Sequence, residues 1–315
     1  MVASTAMAQD ESHHSANVYD TTVAPLIFPT IDDYATFDGA EAPGADKVIG
    51  GAGISTYVDV TENMKAGVLT PFYRYSPRLA FKAHVPIIWD RTLTYFDQEV
   101  SGGGLGDITL DVEYTKILGT PGTHLRFSGS VKLPTGDEEK MVEGDDGLEY
   151  GVPLGTGTTD FVLKGQYARS TKEMGLVAGL LYRKNSPYES IRDWGDGVIE
   201  TTKTTYASQF IASAFARKRV HEKWWAHLGL TGVMLGDGKK ETEYSDGSPT
   251  MDWGANMGGT LLDIYPGVSY ALGKLNPYLG MRIPVATSYD NEFRDDERDI
   301  SFVFQFSYRP ESLSK

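Results

Sequence analysis

The sequence predicts an all-β chain: a transmembrane antiparallel up-and-down β-barrel of about twelve strands, preceded by an N-terminal segment that is not strand-like. Three observations carry this expectation. Apolar and polar residues alternate through one segment after another, each near the ~9 to 11 residues that a tilted strand needs to cross a bilayer. The connections between these segments are short and long in turn. The composition is rich in strand formers and turns, with 35 Gly, 18 Tyr, 13 Phe and 5 Trp among 315 residues, 40% hydrophobic content and a mean hydropathy of -0.30. No run approaches the ~20 consecutive apolar residues of a helical span.

Composition also removes several functions. The chain has no Cys, which excludes disulfides, thiolate metal sites and cysteine nucleophiles. A net charge of -14 argues against nucleic acid as a partner, since that would call for a basic stripe.

At the start, VASTAMAQ has the small-residue pattern of a signal-peptidase site, with Ala6 and Ala8 at the positions read and Gln9 opening the mature chain. Residues 1–8 are therefore expected to be the remnant of a signal peptide, and with the lack of Cys this points to a Gram-negative envelope. Residues 9–47 form an N-terminal extension or plug. Within them Val23, Leu26, Ile27 and Phe28 are too apolar for a freely solvated tail. Such a segment either folds into a barrel mouth or trails as a loose periplasmic extension.

The barrel is expected over 48–309, with a C-terminal tail at 310–315. Its strands are placed near 48–60, 66–75, 78–88, 106–118, 123–133, 158–169, 174–186, 203–217, 223–236, 259–272, 276–287 and 299–309. The clearest is GDITLDVEYTKIL at 106–118, where Ile108, Leu110, Val112, Tyr114 and Leu118 share one face, broken by Lys116. Asp107, Asp111 and Glu113 lie on the other, because successive side chains on a strand point to opposite sides. THLRFSGSVKL at 123–133 repeats the pattern after a turn at Pro121 and Gly122. In the last strand, Phe302, Phe304, Phe306 and Tyr308 fall on one face, an aggregation hazard on a strand edge in water and an anchor against lipid.

Tight turns at 76–77, 120–122, 172–173, 221–222 and 274–276 alternate with long polar stretches at 89–104, 137–157, 187–202, 237–258 and 289–298. Outer-membrane barrels sort their loops this way and soluble sandwiches do not. An even strand count puts both chain ends on the short-turn, periplasmic side. The greasy face then meets lipid and the acidic face lines the lumen.

On that parity the lumen-lining candidates are Lys82, His84, Asp107, Asp111, Glu113, His124, Arg126, Lys132, Lys164, His227, Asp263 and Arg282. Mixed charges of this kind pair across strands, which holds a lumen in shape as readily as it selects a solute. The acidic stretches GDEEKMVEGDDGLEY at 136–150 and YDNEFRDDERD at 289–299 lack the ordered ligand spacing of a calcium loop and read as solvated loops, so no metal site is assigned. Enzymatic readings are weak as well. Ser128 and Ser130 share a face with His124, but residues four apart on a strand are about 13 Å apart, beyond the reach of a nucleophile and its base. The glycines at 50–53 and 102–106 open no helix and read as turns and kinks, so no nucleotide cofactor is expected.

Three motifs complete the reading: GLGD at Gly104–Asp107 opening a strand, KLPTGD at Lys132–Asp137 closing the next, and GTGTTDF at Gly155–Phe161 opening a third. Together they resemble the outer-membrane family labelled as transporters of the MetA pathway of phenol degradation. The resemblance implies a bacterial outer-membrane channel for small molecules, aromatic or hydrophobic compounds among them. The expected mechanism is passive uptake without catalysis or cofactor, and the alternative is a closed structural or partner-binding scaffold in an envelope complex. Expected partners are outer-membrane lipids and lipopolysaccharide, a small-molecule solute and the barrel assembly machinery.

Overall fold

The computed structural model describes residues 51–60, 64–76, 78–95, 98–138, 140–193, 198–205, 207–247, 258–272, 275–289 and 300–308. Period-two alternation resolves into strands throughout. The first half holds β1 (Gly51–Val60), β2 (Met64–Arg74), β3 (Leu79–Tyr95), β4 (Gln98–Leu105), β5 (Ile108–Ile117), β6 (Thr123–Leu133), β7 (Met141–Glu143), β8 (Glu149–Gly151) and β9 (Asp160–Ser170). The second holds β10 (Met174–Asn185), β11 (Pro187–Asp193), β12 (Ile199–Thr205), β13 (Gln209–Arg219), β14 (Trp224–Leu235), β15 (Lys239–Tyr244), β16 (Gly259–Tyr270), β17 (Leu275–Tyr289) and β18 (Ser301–Tyr308).

The pairing closes on itself. β1 lies antiparallel to both β2 and β18, with Val58 opposite Gly67 on one side and Phe304 on the other. β2 pairs with β3, β3 with β5, and β5 with β6. The ring continues through β9, β10, β13, β14, β16, β17 and β18. The 13-stranded sheet is thus this twelve-strand ring plus β4, which extends the end of β3. Closure is what lets strands cross lipid, because no edge is left with unpaired N–H and C=O groups.

Short connections gather at one end. Chain reversal at 118–122 uses Gly122, whose φ of 70° is the left-handed region that favours glycine. A Cβ there would also lie 2.1 Å from the Ser170 carbonyl oxygen of the next turn. At the opposite end the polar stretches carry strands of their own. β7 and β8 form a hairpin, and β11, β12 and β15 form a three-stranded sheet. This corrects the expectation of one strand over 203–217: residues 203–205 end β12 in the outer sheet, and the wall resumes at Gln209. Likewise β3 runs on to Tyr95, well past 88.

The two faces separate by exposure. Leu110, Val112 and Tyr114 are exposed, as are Phe127, Leu163, Leu180, Leu230, Phe302, Phe304 and Phe306. Thr109, Asp111, Glu113 and Thr115, interleaved with the first of these, are buried. A continuous apolar exterior on a closed barrel is a lipid-facing surface. The N-terminal residues singled out above, Val23, Leu26, Ile27 and Phe28, lie outside the described residues, as do 1–8, the remainder of 9–47, and 310–315.

Candidate functional site

The inner wall is divided. On the arc from β3 to β10 it is charged. Lys82 Nζ lies 2.6 Å from Glu113 Oε2, and Arg126 Nε lies 3.8 Å from Glu113 Oε1. Ser130 donates to Asp111 Oδ1 at 2.7 Å, and His84 Nδ1 is 3.0 Å from Thr70 Oγ1. Register explains these meetings, since Lys82 stands opposite Asp111, and Asp111 opposite Ser130. Lys164, half-buried, stands opposite Ser128, and His124 is fully buried lower on β6.

At the long-loop end of the same arc the three sequence motifs converge on one network. Lys132 Nζ is 2.7 Å from Asp160 Oδ2 and 3.1 Å from Asp107 Oδ2. Lys132 also donates to Thr158 at 3.1 Å and to Thr156. Arg183 binds Asp160 through both Nε, at 3.0 Å, and Nη2. Asp107 accepts from the backbone N–H of Gly136 at 3.0 Å and from the backbone N–H and hydroxyl of Thr156, both at 2.9 Å. Thr158 donates to Asp160 Oδ1 at 2.8 Å. Two carboxylates and two cations thus balance inside a site where Asp107, Lys132, Asp160 and Arg183 are almost wholly buried. Hydrogen bonds on the remaining lone pairs are what make such burial tolerable.

The motif glycines serve this network. A Cβ on Gly155 would sit 2.5 Å from Asp107 Oδ1 and 2.9 Å from the Gly136 Cα, so both glycines are needed for the backbones to close around the carboxylate. Thr135 ties the first two motifs, accepting from Ile108 N at 2.9 Å and donating to the Gly106 carbonyl at 3.1 Å.

From this anchor the connection between β6 and β9 folds across the mouth. Leu154 packs with Met64, Ala66 and Ile88, and Val152 and Tyr150 pack with Leu93 and Val100. Arg91 donates to the Pro153 carbonyl, and Lys140 donates to the Gly103 carbonyl at 2.5 Å. The stretch 136–150 is therefore not simply a solvated loop. Its carboxylates stay near the surface while its flanks are strapped over the inner faces of β2 and β3. Asp146 at its tip accepts from Tyr150 Oη at 2.6 Å and from Leu148 N at 3.0 Å, and these bonds, the first foremost, hold its carboxyl below the usual range. Among the described residues no group of His, Asp and Glu could hold a metal ion.

Further round, the inner wall carries an apolar cluster set among buried polar residues, Gln209, Thr231, Ser301 and Gln305 among them. Val162, Leu181, Ile211, Phe215, Tyr265, Tyr278 and Val303 form one buried cluster, with Val233 packed against it. Leu181, Ile211, Val233 and Leu261 stand side by side on four adjacent strands. Phe215 and Tyr265 have ring centroids 5.7 Å apart, and His227 meets Tyr278 edge-on at 5.2 Å. These rings lie against glycines: a Cβ on Gly229 would be 2.3 Å from the Phe215 ring, and one on Gly280 would be 2.1 Å from Tyr278 Oη. Toward the short-turn end the cluster gains polar groups. His227 Nε2 is 2.8 Å from Ser269 Oγ, and the Arg217 guanidinium lies 4.2 Å from the centre of the Trp225 ring. Asp263 and Arg282 are buried on the inner faces of β16 and β17.

Sequence reasoning named Asp107 and Lys132 but not Asp160 or Arg183, and it missed the apolar wall. GTGTTDF held the signal for Asp160. For β10 the signal is weak, because both faces of MGLVAGLLYRKN are apolar through the middle and parity alone does not choose one.

Comparison with known proteins agrees with this architecture. A family profile described as "Putative MetA-pathway of phenol degradation" matches residues 32–309. An outer-membrane channel from Pseudomonas putida F1 superposes with a TM-score of 0.57 at 11% identity, covering 86% of this chain and 99% of that one. The NanC porin gives a TM-score of 0.47 at 10% identity, covering 82% and 98%. No curated protein matches the sequence.

Proposed function

The chain belongs to the family described as "Putative MetA-pathway of phenol degradation", and from that premise we propose that it is a passive outer-membrane channel for small aromatic or hydrophobic molecules. The observation that carries this reading is the divided inner wall. A wholly charged lumen would reject an apolar solute, since each charge holds its water. Here Leu181, Ile211, Phe215, Tyr265 and Tyr278 offer an apolar track along one side, while the ion pairs from Lys82 to Arg183 hold the other side polar. These five side chains are only 1–6% exposed and pack on one another, so a solute with an aromatic ring and a polar group passes as they part, its ring against them and its polar end toward the charged arc.

Uptake of this kind needs neither an energy source nor a catalytic residue. The partners it calls for are the solute, the surrounding lipid and lipopolysaccharide, and an assembly machinery that inserts the barrel. A second reading, a closed scaffold, draws support from the β6–β9 connection strapped over the mouth. Single-channel recording of the full chain in a planar bilayer separates the two. Steady ohmic current supports the channel, and silence from protein shown to be folded by its heat-dependent gel mobility supports the scaffold. Liposome swelling with phenol-sized solutes then tests the solute class.

A further inference from the structure

We propose that the short-turn rim of the barrel carries a collar that binds the headgroups of anionic phospholipids in the periplasmic leaflet. The inference rests on the membrane-barrel reading but not on transport.

The apolar exterior ends in cations at this rim. On β5 the outward series Leu110, Val112, Tyr114 ends in Lys116, and on β9 the series Phe161, Leu163, Tyr167 ends in Arg169. On β13 the outward residues Phe210, Ala212, Ala214 and Ala216 end in Lys218. The turns beside them add Lys172, Arg219 and Lys223, all exposed. Register holds the patch together: Lys218 stands opposite Met174, and Arg169 opposite Leu176, so the cations of β9 and β13 flank β10 on either side. Trp224, 45% exposed, meets the Tyr270 ring at a tilt, centroids 4.8 Å apart, beside them, the kind of aromatic pair that settles at headgroup level.

Their lack of ion pairs is the second observation, Arg219 donating only to the backbone carbonyl of Glu222 at 3.1 Å. Among the described residues, none of these Lys and Arg side chains makes an ion pair, although Glu173 and Glu222 lie in the same turns. At the opposite end two exposed cations do pair, Lys65 with Asp90 at 2.7 Å and Lys239 with Glu241, while Lys184 and Lys203 form no ion pair among the described residues. That end is also where the acid sits, with Glu143, Asp145, Asp146, Glu149, Glu241 and Glu243 on the outer hairpins. The barrel is therefore polarised along its axis, and on the membrane-barrel reading its positive end, which forms no ion pair among the described residues, meets the phosphates of one leaflet. Lys and Arg at that depth attract anionic lipid over roughly a Debye length, ~8 Å at physiological salt.

The test uses the full chain refolded into phosphatidylcholine vesicles holding a minor fraction of phosphatidylglycerol, with tryptophan fluorescence quenched by bromine placed on one lipid at a time. Brominated phosphatidylglycerol is expected to quench about twofold more than brominated phosphatidylcholine at equal mole fraction. The excess should vanish in high salt and in W224F, and persist in W89F, because Trp89 is exposed at the other rim. It should also fall in the combined variant K116Q, R169Q, K218Q and K223Q, whose folding is checked by gel mobility. Equal quenching by the two lipids at low salt overturns the collar. Absence of quenching by either would instead overturn the membrane barrel, so the two failures are distinct.

Discussion

Lys132 reaches across from β6 to Asp160 at the start of β9, Nζ to Oδ2 2.7 Å, with both side chains withdrawn from solvent. The pair stands opposite in register and joins two strands that sequence separates by the longest connection of the first half. Its consequences extend along that connection, because Asp107, Thr156 and Gly136 hang on the same network.

Replacing one partner should be costly. Lys132→Met leaves two buried carboxylates facing Arg183 alone, and breaking such a pair costs about 3–5 kcal/mol. We expect the loss to appear first in the strap: Lys140, protected in the native protein by its bond to the Gly103 carbonyl, should become a trypsin site. Native gel mobility with rapid cleavage at Lys140 is the expected result. Resistance equal to the parent would mean that the network does not hold the connection.

The glycines behind the aromatic track make a reciprocal prediction. In Gly280→Ala the new methyl would need the space 2.1 Å from Tyr278 Oη, so the ring must swing inward and narrow the lumen. Single-channel conductance should fall, and Tyr278→Ala in the same chain should restore it. No rescue by the second change would argue against a ring displaced into the path.

Exterior and interior positions should respond differently to charge. Leu163 is 65% exposed on the outer face of β9, two residues from its centre, where an Arg facing hydrocarbon costs up to about 2–4 kcal/mol. Urea unfolding of Leu163→Arg in phospholipid vesicles should show that loss. A change near zero would place Leu163 in water.

The tip of the β7–β8 hairpin should depend on pH. Tyr150 donates to Asp146, so the carboxylate is favoured and titrates below the ordinary value near ~3.9. The sign follows from a depressed acid: the contribution is present above the unfolded value and is lost as pH falls through the lower folded one. NMR titration of Asp146 should show the depressed midpoint, and Tyr150→Phe should return it toward the ordinary value.

What the sequence determined by itself was whatever depends on period and spacing. Alternation in 106–118 and 123–133 assigned Asp111 and Glu113 to one face and Leu110 and Val112 to the other, and the short and long connections gave an even strand count with both ends on one side. Only the tertiary structure decided which residues meet. A strand's own period says nothing of its neighbour's register, so Lys132 could not be matched to Asp160, nor Leu154 to Met64, from local pattern. Where both faces are apolar, as in β10 around Leu180 and Leu181, even the inward face waited for closure. Pairing around a ring is a property of all twelve strands at once, and that is why the charged arc, the aromatic track and the strap over the mouth appear only in the folded barrel.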